Sequence, residues 1–171
     1  YTITLLECIN RKKNNMILTN QTIKPRFEIV KDEHRKNPDA NISMPVRSTM
    51  ASAACDFFSP VTVRIEPGES CMIWSDLKAI MNFDEVLAIF PRSSLGSKGI
   101  MLMNTIGIID ADYANNEKND GNIGFNLYNY GKEPYIIREG DKLVQGVLMK
   151  YAPIGEESHQ TRTGGFGSTG K

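Results

Sequence analysis

Short β-type runs separated by turn signals constrain the fold of this chain more than any other feature of its sequence. In residues 61–65, Val-Thr-Val-Arg-Ile, apolar and polar side chains alternate, so that one face can be buried while the other contacts water. Turn-forming segments such as Glu66-Pro-Gly68 and Glu139-Gly-Asp141 end the runs. Many short strands at this spacing predict an all-β domain, either a sandwich, a jelly roll or a barrel. The predicted strands are residues 1–6, 27–30, 61–65, 71–74, 85–90, 123–128, 135–137 and 143–151.

Few segments have features of a helix or an extended loop. Residues 76–81 are expected to form a single turn or a bend, and residues 93–98 a short helix with a serine N-cap, closed by Gly99. Residues 31–43 are polar and charged, which favours a loop. Residues 114–121 are polar and turn-rich, which favours the loose tip of an inserted hairpin.

Length, charge and cysteine content limit the classes of function. A chain of 171 residues suits one domain. Because 20 Lys and Arg residues balance 20 Asp and Glu residues, no overall positive field favours nucleic acid or a membrane as a partner. The first apolar run is too short for a signal peptide, and no run approaches the ~18 apolar residues of a membrane span. Cys8, Cys55 and Cys71 are odd in number and widely spaced, which indicates a reducing compartment. We therefore expect a cytoplasmic protein.

Residues 90–99, Phe-Pro-Arg-Ser-Ser-Leu-Gly-Ser-Lys-Gly, are a candidate anion site. A predicted strand leads into Arg92, and the hydroxyls of Ser93 and Ser94 follow at a predicted helix start. Free amides at a helix N-terminus, together with a guanidinium group, suit phosphate. Taken alone, the segment fits a capped turn with a solvated arginine better.

Two more segments carry side chains suited to chemistry. The C-terminal Arg162-Thr-Gly-Gly-Phe-Gly-Ser-Thr-Gly170 combines glycines, hydroxyls and an arginine with Phe166, which could stack on a base, although its composition also fits a disordered tail. In Asn104-Thr-Ile-Gly-Ile-Ile-Asp-Ala-Asp-Tyr113 an apolar run ends in two carboxylates. A carboxylate there could activate water, although a strand ending in an Asp-rich turn is the simpler interpretation.

Together, in this order and spacing, the segments resemble the five motifs of the trimeric dUTPase family. The resemblance covers about residue 27 to the end of the chain. It implies a distorted jelly roll of the β-clip type, a homotrimer with shared active sites, and Mg²⁺-dependent hydrolysis of dUTP to dUMP and pyrophosphate. The five motifs are Pro45-Val-Arg-Ser-Thr-Met-Ala-Ser-Ala-Ala-Cys-Asp-Phe57, Pro91-Arg-Ser-Ser-Leu95, Gly107-Ile-Ile-Asp-Ala-Asp-Tyr113, Gly140-Asp-Lys-Leu-Val-Gln145 and the segment from Arg162 to Gly170.

The resemblance implies roles in catalysis for five residues. Asp110 would position and activate the water that attacks the α-phosphorus. Arg92 and Ser93 would hold the phosphates, and Gln145 would hydrogen-bond the α-phosphate. Asp56 would reach Mg²⁺ through a bound water, which suits an ion that prefers phosphates and waters to an all-protein cage.

The resemblance also implies residues that bind the substrate. Ser94 would assist with the phosphates, and the hairpin that contains Asn104 and Gly107 would read the polar edge of uracil. Tyr113 would pack under the deoxyribose and leave no room for a 2′-hydroxyl. The C-terminal arm would close over the nucleotide, with Phe166 on the uracil face. Its other implied contacts are Arg162, Gly167, Ser168 and Thr169.

The resemblance also divides the chain into three parts and shows where its sequence departs from the family pattern. Residues 1–26 would be an N-terminal extension, residues 27–154 the dUTPase-like β domain, and residues 155–171 a flexible arm. Ala54 and Cys55 stand where the family usually has Gly and an aromatic residue, and Ser94 replaces a frequent Gly. Residues 114–120 lengthen a hairpin tip. This insert and the extension are candidate contacts for a protein partner.

Two other functions fit parts of the sequence. The dCTP deaminases share the fold and an Arg-Ser-Ser-Leu segment, but Asn126 stands where they carry a catalytic glutamate, and an amide cannot shuttle the proton. A dUTPase-like regulatory protein that binds nucleotide and signals to a partner is motivated by the insert and the extension. The presence of all the catalytic residue types favours the diphosphatase.

Overall fold

The computed structural model describes residues 22–155, in which eleven strands form four antiparallel sheets. The all-β prediction is confirmed. A short helix, α1 (Ser93–Gly96), and two 3₁₀ helices (Asp32–His34 and Ala111–Tyr113) connect strands. The strands are β1 (Arg26–Ile29), β2 (Ala54–Phe58), β3 (Val63–Ile65), β4 (Ser70–Trp74), β5 (Leu77–Ile80), β6 (Glu85–Pro91), β7 (Ile100–Leu102), β8 (Gly107–Asp110), β9 (Gly124–Asn129), β10 (Tyr135–Ile137) and β11 (Lys142–Lys150).

The largest sheet has the order β2-β11-β6-β8, so strands that are far apart in the sequence become neighbours. A three-stranded sheet has the order β4-β9-β7, and two pairs are formed by β1 with β5 and by β3 with β10. The large sheet joins the chain around residue 56 to that around residues 91, 110 and 145, which contain four of the sequence motifs.

Aromatic packing joins the sheets into one core. Phe57 of the large sheet is fully buried, and its ring meets Phe27 and Phe125 edge to face at centroid distances of 5.1 and 5.3 Å. Phe27 belongs to the β1-β5 pair and Phe125 to the three-stranded sheet. Edge-to-face contacts add to the stabilisation that ring burial supplies, so Phe57 fixes the position of β2 against both neighbouring sheets.

Gly146 lets β11 lie close to the core between β2 and β6. A Cβ atom at this position would lie 2.9 Å from the Phe57 ring and 3.0 Å from a Leu87 methyl group. No side chain fits at these distances without displacing the core. The glycine therefore sets the depth of the strand that carries the adjacent Gln145.

The predicted strands that fall within residues 22–155 are confirmed, with ends that differ by a few residues, whereas residues 1–6 lie outside the described part. The turn or bend predicted for residues 76–81 is wrong beyond its first residue. Asp76 adopts φ = 56°, but Leu77–Ile80 is β5, with Phe27 opposite Ala79. Pairing with β1, which is distant in the sequence, stabilises the extended backbone. Three further strands, β2, β7 and β8, were not among the predicted runs.

Residues 114–121, which we call the insert loop, are not the loose polar tip that their composition predicts. They form turns, as expected, but Asn116 and Asp120 are only 6% and 1% exposed. Asp120 Oδ2 accepts hydrogen bonds from Lys78 and from the Lys31 amide, which are distant in the sequence. Asn116 donates locally, to the Tyr113 carbonyl and to Asn119. Within residues 22–155, no helix has the length and apolar character needed to cross a membrane.

Candidate functional site

The register of the large sheet places two side chains of the site, Asp56 and Gln145, in one row. Gln145 of β11 pairs with Asp56 of β2 on one side and with Phe90 of β6 on the other. Paired residues in adjacent strands project from the same face of a sheet. Arg92 follows the end of β6 by one residue. Two segments predicted to act together, around Asp56 and around Arg92, are therefore brought to one end of the sheet.

A β-bulge brings Lys142 to the same face of the sheet as this row. Lys142 pairs with Phe58 and Val144 with Phe57, so two residues of β11 advance the register by only one residue of β2. Without the bulge, residues 142 and 145 would point to opposite faces, because side chains alternate along a strand. The bulge places Lys142 on the same face as Gln145 and Asp56.

Asp56 is the centre of a charged group that we call the Asp56 cluster: Asp56, Ser48, Arg92 and Lys142. Its Oδ2 accepts hydrogen bonds from Ser48 Oγ and from Lys142 Nζ, both at 2.8 Å. Its Oδ1 lies 3.0 Å from Arg92 Nε. The carboxyl side chain is only 10% exposed, so these three contacts replace most of its water.

Burial alone would raise the pKa of Asp56, but the hydrogen bonds from Lys142 and Ser48 and the positive charge of Arg92 outweigh it and lower that pKa. The carboxylate therefore keeps its charge while holding Arg92 and Lys142 in place. Asp56 thus anchors two cations at the end of the sheet, a role that its sequence context did not reveal.

The lowered pKa of Asp56 predicts a dependence of stability on pH. Because the pKa is lower in the folded state, the carboxylate contributes stability above its unfolded pKa, and this contribution is lost as pH falls through the folded pKa. Melting temperatures of the wild type should therefore fall steeply below about pH 4. We expect Asp56→Asn to flatten that decline, whereas Asp39→Asn, at an exposed position, should leave it unchanged. Equal slopes for wild type and Asp56→Asn would contradict this assignment.

The short helix predicted at residues 93–98, within the candidate phosphate-binding segment 90–99, is confirmed as α1. The predicted serine N-cap is wrong, because Arg92 is the N-cap and no side chain caps the helix. Arg92 has extended backbone angles (φ = −78°, ψ = 148°) before α1, and its carbonyl accepts the amide of Leu95 at 2.9 Å. Ser93 and Ser94 are exposed in the first turn, while Leu95 anchors the turn in the core. The two hydroxyls and the first-turn amides thus follow Arg92 directly in the chain, an arrangement suited to anions. Gln145 Nε2 donates to the Pro91 carbonyl at 3.2 Å and steadies the approach to α1.

The hairpin between β7 and β8 carries the two residues expected to read a base. Asn104 is exposed at the turn, where its carbonyl accepts the Ile106 amide at 2.7 Å and the next residue, Thr105, has φ = 64°. Gly107 lies against β6, and a Cβ there would be 3.1 Å from Ile89 Cβ. Close packing thus explains Gly107 without any ligand.

Asp110 and Tyr113 lie at the other end of β8. Asp110 is half-buried and precedes the 3₁₀ helix that ends in Tyr113. Tyr113 is only 5% exposed, and its hydroxyl donates to the Asn122 carbonyl at 2.7 Å. In one copy of the chain, therefore, Tyr113 presents little of its ring to a sugar.

Within a single chain, Asp110 and Arg92 lie far apart. Asp110 pairs with Val86 near the start of β6, whereas Arg92 follows the end of that strand. Six residues of strand at about 3.3 Å each span about 20 Å. Groups that act on the same phosphorus need contact distances of about 3–3.5 Å. Asp110 and the Asp56 cluster of a single chain therefore cannot act on the same phosphorus.

The predicted residues of the arm, Arg162, Phe166, Gly167, Ser168 and Thr169, lie outside the described residues. Two residues without a predicted role, Ser48 and Lys142, belong to the cluster. Both occur within motif-like segments of the sequence, which was the available signal. Simple alternation along β11 would place Lys142 and Gln145 on opposite faces of the sheet, and the bulge that reverses this cannot be read from sequence.

Comparisons with known proteins identify the family of the chain. A family model described as dUTPase matches residues 40–170. The deoxyuridine 5'-triphosphate nucleotidohydrolase of Lactococcus lactis is 42% identical over 148 residues, which cover 84% of this chain and 96% of that protein. The structure of dUTPase from Streptococcus mutans has a TM-score of 0.67 and 32% identity, covering 77% of this chain and 99% of the other. The dUTPase of phage phi11 of S. aureus has a TM-score of 0.62 and 25% identity, covering 81% and 97%. With a family match across most of its length and relatives of this identity, the chain belongs to the dUTPase family.

Proposed function

We propose that the chain hydrolyses dUTP to dUMP and pyrophosphate, in active sites that three copies of the chain build together. The observation that carries this proposal is the separation of about 20 Å between Asp110 and Arg92 along β6. Family membership makes both residues part of one reaction, and one chain holds them too far apart. Neighbouring copies remove the contradiction, because Asp110 of one copy can lie beside Arg92 of another.

An exposed apolar surface supports assembly. Ile108 of β8 and Met149 of β11 are 58% and 41% exposed, although they lie on the sheet face that also carries Asp110 and Gln145. Ile106, next to β8, is 44% exposed. Apolar side chains of this size are stabilised when a second copy covers them. The surface lies between the two separated groups, where a second copy would bring them together.

The reaction is an attack of water on the α-phosphorus. Asp110 orients this water and accepts its proton. Arg92, Ser93, Ser94 and Gln145 hold the phosphate oxygens and offset the charge that develops on the pyrophosphate leaving group. The Asp56 cluster serves this step by holding Arg92 at the end of the sheet.

The residues present fit Mg²⁺ only through water. Residues 22–155 contain no group of three or more His, Cys, Asp or Glu side chains that could hold a metal ion. Asp56 accepts hydrogen bonds from Ser48 and Lys142 and forms an ion pair with Arg92, which leaves part of its carboxylate for a metal-bound water. When bound to the substrate phosphates, Mg²⁺ would supply charge compensation there.

Three parts of the chain select the nucleotide: the hairpin between β7 and β8, Tyr113 after β8, and the C-terminal arm. Asn104 at the exposed hairpin turn reads the polar edge of uracil, and Tyr113 limits the space around C2′ of the sugar. Residues 155–171 form the closing arm, with Phe166 on the base. The cytoplasm is the proposed compartment, because Cys55 and Cys71 are free thiols in the described chain.

Complementation between inactive variants tests the proposal. Wild-type protein should release pyrophosphate from dUTP in the presence of Mg²⁺, whereas Asp110→Asn and Arg92→Ala should each be nearly inactive. After refolding of an equal mixture, about one site in four should combine an intact Asp110 from one copy with an intact Arg92 from another. Recovered activity near that fraction supports shared sites. A mixture that stays inactive, or a monomer in solution, would refute them.

A further inference from the structure

We infer that Asn119 of the insert loop is a positioning residue that holds Tyr113 in place for selection of deoxyribose over ribose. The inference rests on the proposed function, because the place of Tyr113 beside the sugar is part of that proposal. Asn119 itself is not expected to contact the nucleotide; it acts through the tyrosine.

The hydroxyl of Tyr113 forms hydrogen bonds with two residues, Asn119 near the end of the insert loop and Asn122 just after it. Asn119 Nδ2 donates to the hydroxyl oxygen at 2.6 Å, and the hydroxyl donates to the Asn122 carbonyl at 2.7 Å. Asn119 Nδ2 also lies 3.3 Å from that carbonyl, so the three groups form a closed arrangement. Because Tyr113 is 5% exposed, these contacts replace water around its hydroxyl.

A second asparagine holds the backbone of the tyrosine. Asn116 Nδ2 donates to the Tyr113 carbonyl and to Asn119 Oδ1, both at 2.7 Å. Asn116 Oδ1 accepts the amides of Lys118 and Asn119 at 3.0 and 3.1 Å. The two asparagine side chains are thus linked to each other, and together they fix both ends of Tyr113.

The insert loop closes on itself and is tied to the core. Gly121 has φ = +84°, and a Cβ there would lie 2.7 Å from Ala114 Cα and 2.9 Å from the Tyr113 carbonyl oxygen. The end of the loop therefore packs directly against its beginning. Asp120 Oδ2 anchors it by accepting from Lys78 Nζ and from the Lys31 amide, each at 2.9 Å. The support for Tyr113 is thus fixed to β5 rather than exposed to solvent.

This support has a consequence for specificity. Exclusion of a 2′-hydroxyl by fit works only when the tyrosine ring cannot move away, and a displacement of about 1 Å is enough to change such a contact strongly. A tyrosine without its hydroxyl partners has more freedom to shift. Loss of Asn119 should therefore admit UTP more readily than it slows the chemical step on dUTP.

Two substitutions of Asn119 test the inference through substrate preference. Asn119→Ala should lower the ratio of kcat/KM for dUTP to kcat/KM for UTP roughly tenfold. The change should appear in KM for dUTP and in UTP turnover more than in kcat for dUTP. Asn119→Leu keeps the volume of the side chain but can neither donate to nor accept from the Tyr113 hydroxyl, so the ratio should fall in the same direction. Glu117→Ala, an exposed position in the same loop, should leave the ratio unchanged.

Tyr113→Phe breaks the same hydrogen bond from the other side and completes the test. It should lower the ratio, and Asn119→Ala should then add nothing further. Additive effects, or an unchanged ratio in the Asn119 variants, would overturn the inference while leaving dUTP hydrolysis in place. If neither Asn119 variant folds, an unchanged ratio in Tyr113→Phe has the same meaning. A wild-type protein that does not hydrolyse dUTP would refute the proposed function instead.

Discussion

Asp110→Asn should lower kcat for dUTP by about two to four orders of magnitude, the usual contribution of a positioned general base. The asparagine keeps the shape of the side chain at the end of β8 but cannot accept a proton from the attacking water. Binding of a non-hydrolysable dUTP analogue should change little, since in the proposed reaction other residues hold the phosphates. Initial rates of pyrophosphate release and analogue titration measure the two effects separately.

Asp112→Asn is the matched control for Asp110→Asn. It removes the same charge two residues further along, at an exposed position in the 3₁₀ helix. Its kcat should stay near that of the wild type. Equal losses for the two variants would indicate that negative charge near the site, rather than proton transfer by Asp110, supports the reaction.

Lys78→Met should destabilise the fold by about 3–5 kcal/mol, because it leaves a buried carboxylate without its partner. Lys78 Nζ lies 2.9 Å from Asp120 Oδ2 and 2.7 Å from Asn115 Oδ1, and the two charged side chains are only 7% and 1% exposed. Asp120 Oδ1 has no hydrogen-bond partner among residues 22–155. For a chain of this length the loss corresponds to a melting temperature lower by about 10 °C, measured at fixed protein concentration.

Two further variants show whether the loss of stability in Lys78→Met comes from the broken ion pair or from replacing any lysine with methionine. Lys118→Met changes an exposed lysine of the insert loop and should leave the melting temperature nearly unchanged. Adding Asp120→Asn to Lys78→Met removes the unpaired charge and should recover part of the loss. A double variant less stable than Lys78→Met would show that the carboxylate stabilises the fold without the lysine.

Acidic pH should narrow the gap between Lys78→Met and the wild type. In the wild type, burial acts to raise the pKa of Asp120, but hydrogen bonds from Lys78 and from the Lys31 backbone outweigh it and lower that pKa. The wild type therefore loses this contribution as pH falls through the lowered pKa. In Lys78→Met, the pKa-raising effect of burial on Asp120 is less opposed. Protonation of Asp120 at acidic pH then removes its unpaired charge.

Much of the fold could be predicted because strand formation follows local patterns. Alternation in residues 61–65 and the apolar run of residues 143–151 indicated β3 and β11, and the hydroxyls after Arg92 indicated α1. Strand β5 was missed because its conformation depends on pairing with β1, some fifty residues away in sequence. The burial of Asp120 was missed for the same reason, since its partners Lys78 and Lys31 are distant in sequence.

The order and spacing of its motifs by themselves determined the family and the expected reaction and predicted the residues that carry it, because chemistry requires particular functional groups and these are visible in sequence. Only the tertiary structure decided which groups meet. A one-residue bulge turns Lys142 toward Asp56, and the length of β6 keeps Asp110 away from Arg92. The physical reason is that register and bulges depend on pairing between distant strands, which local alternation does not encode.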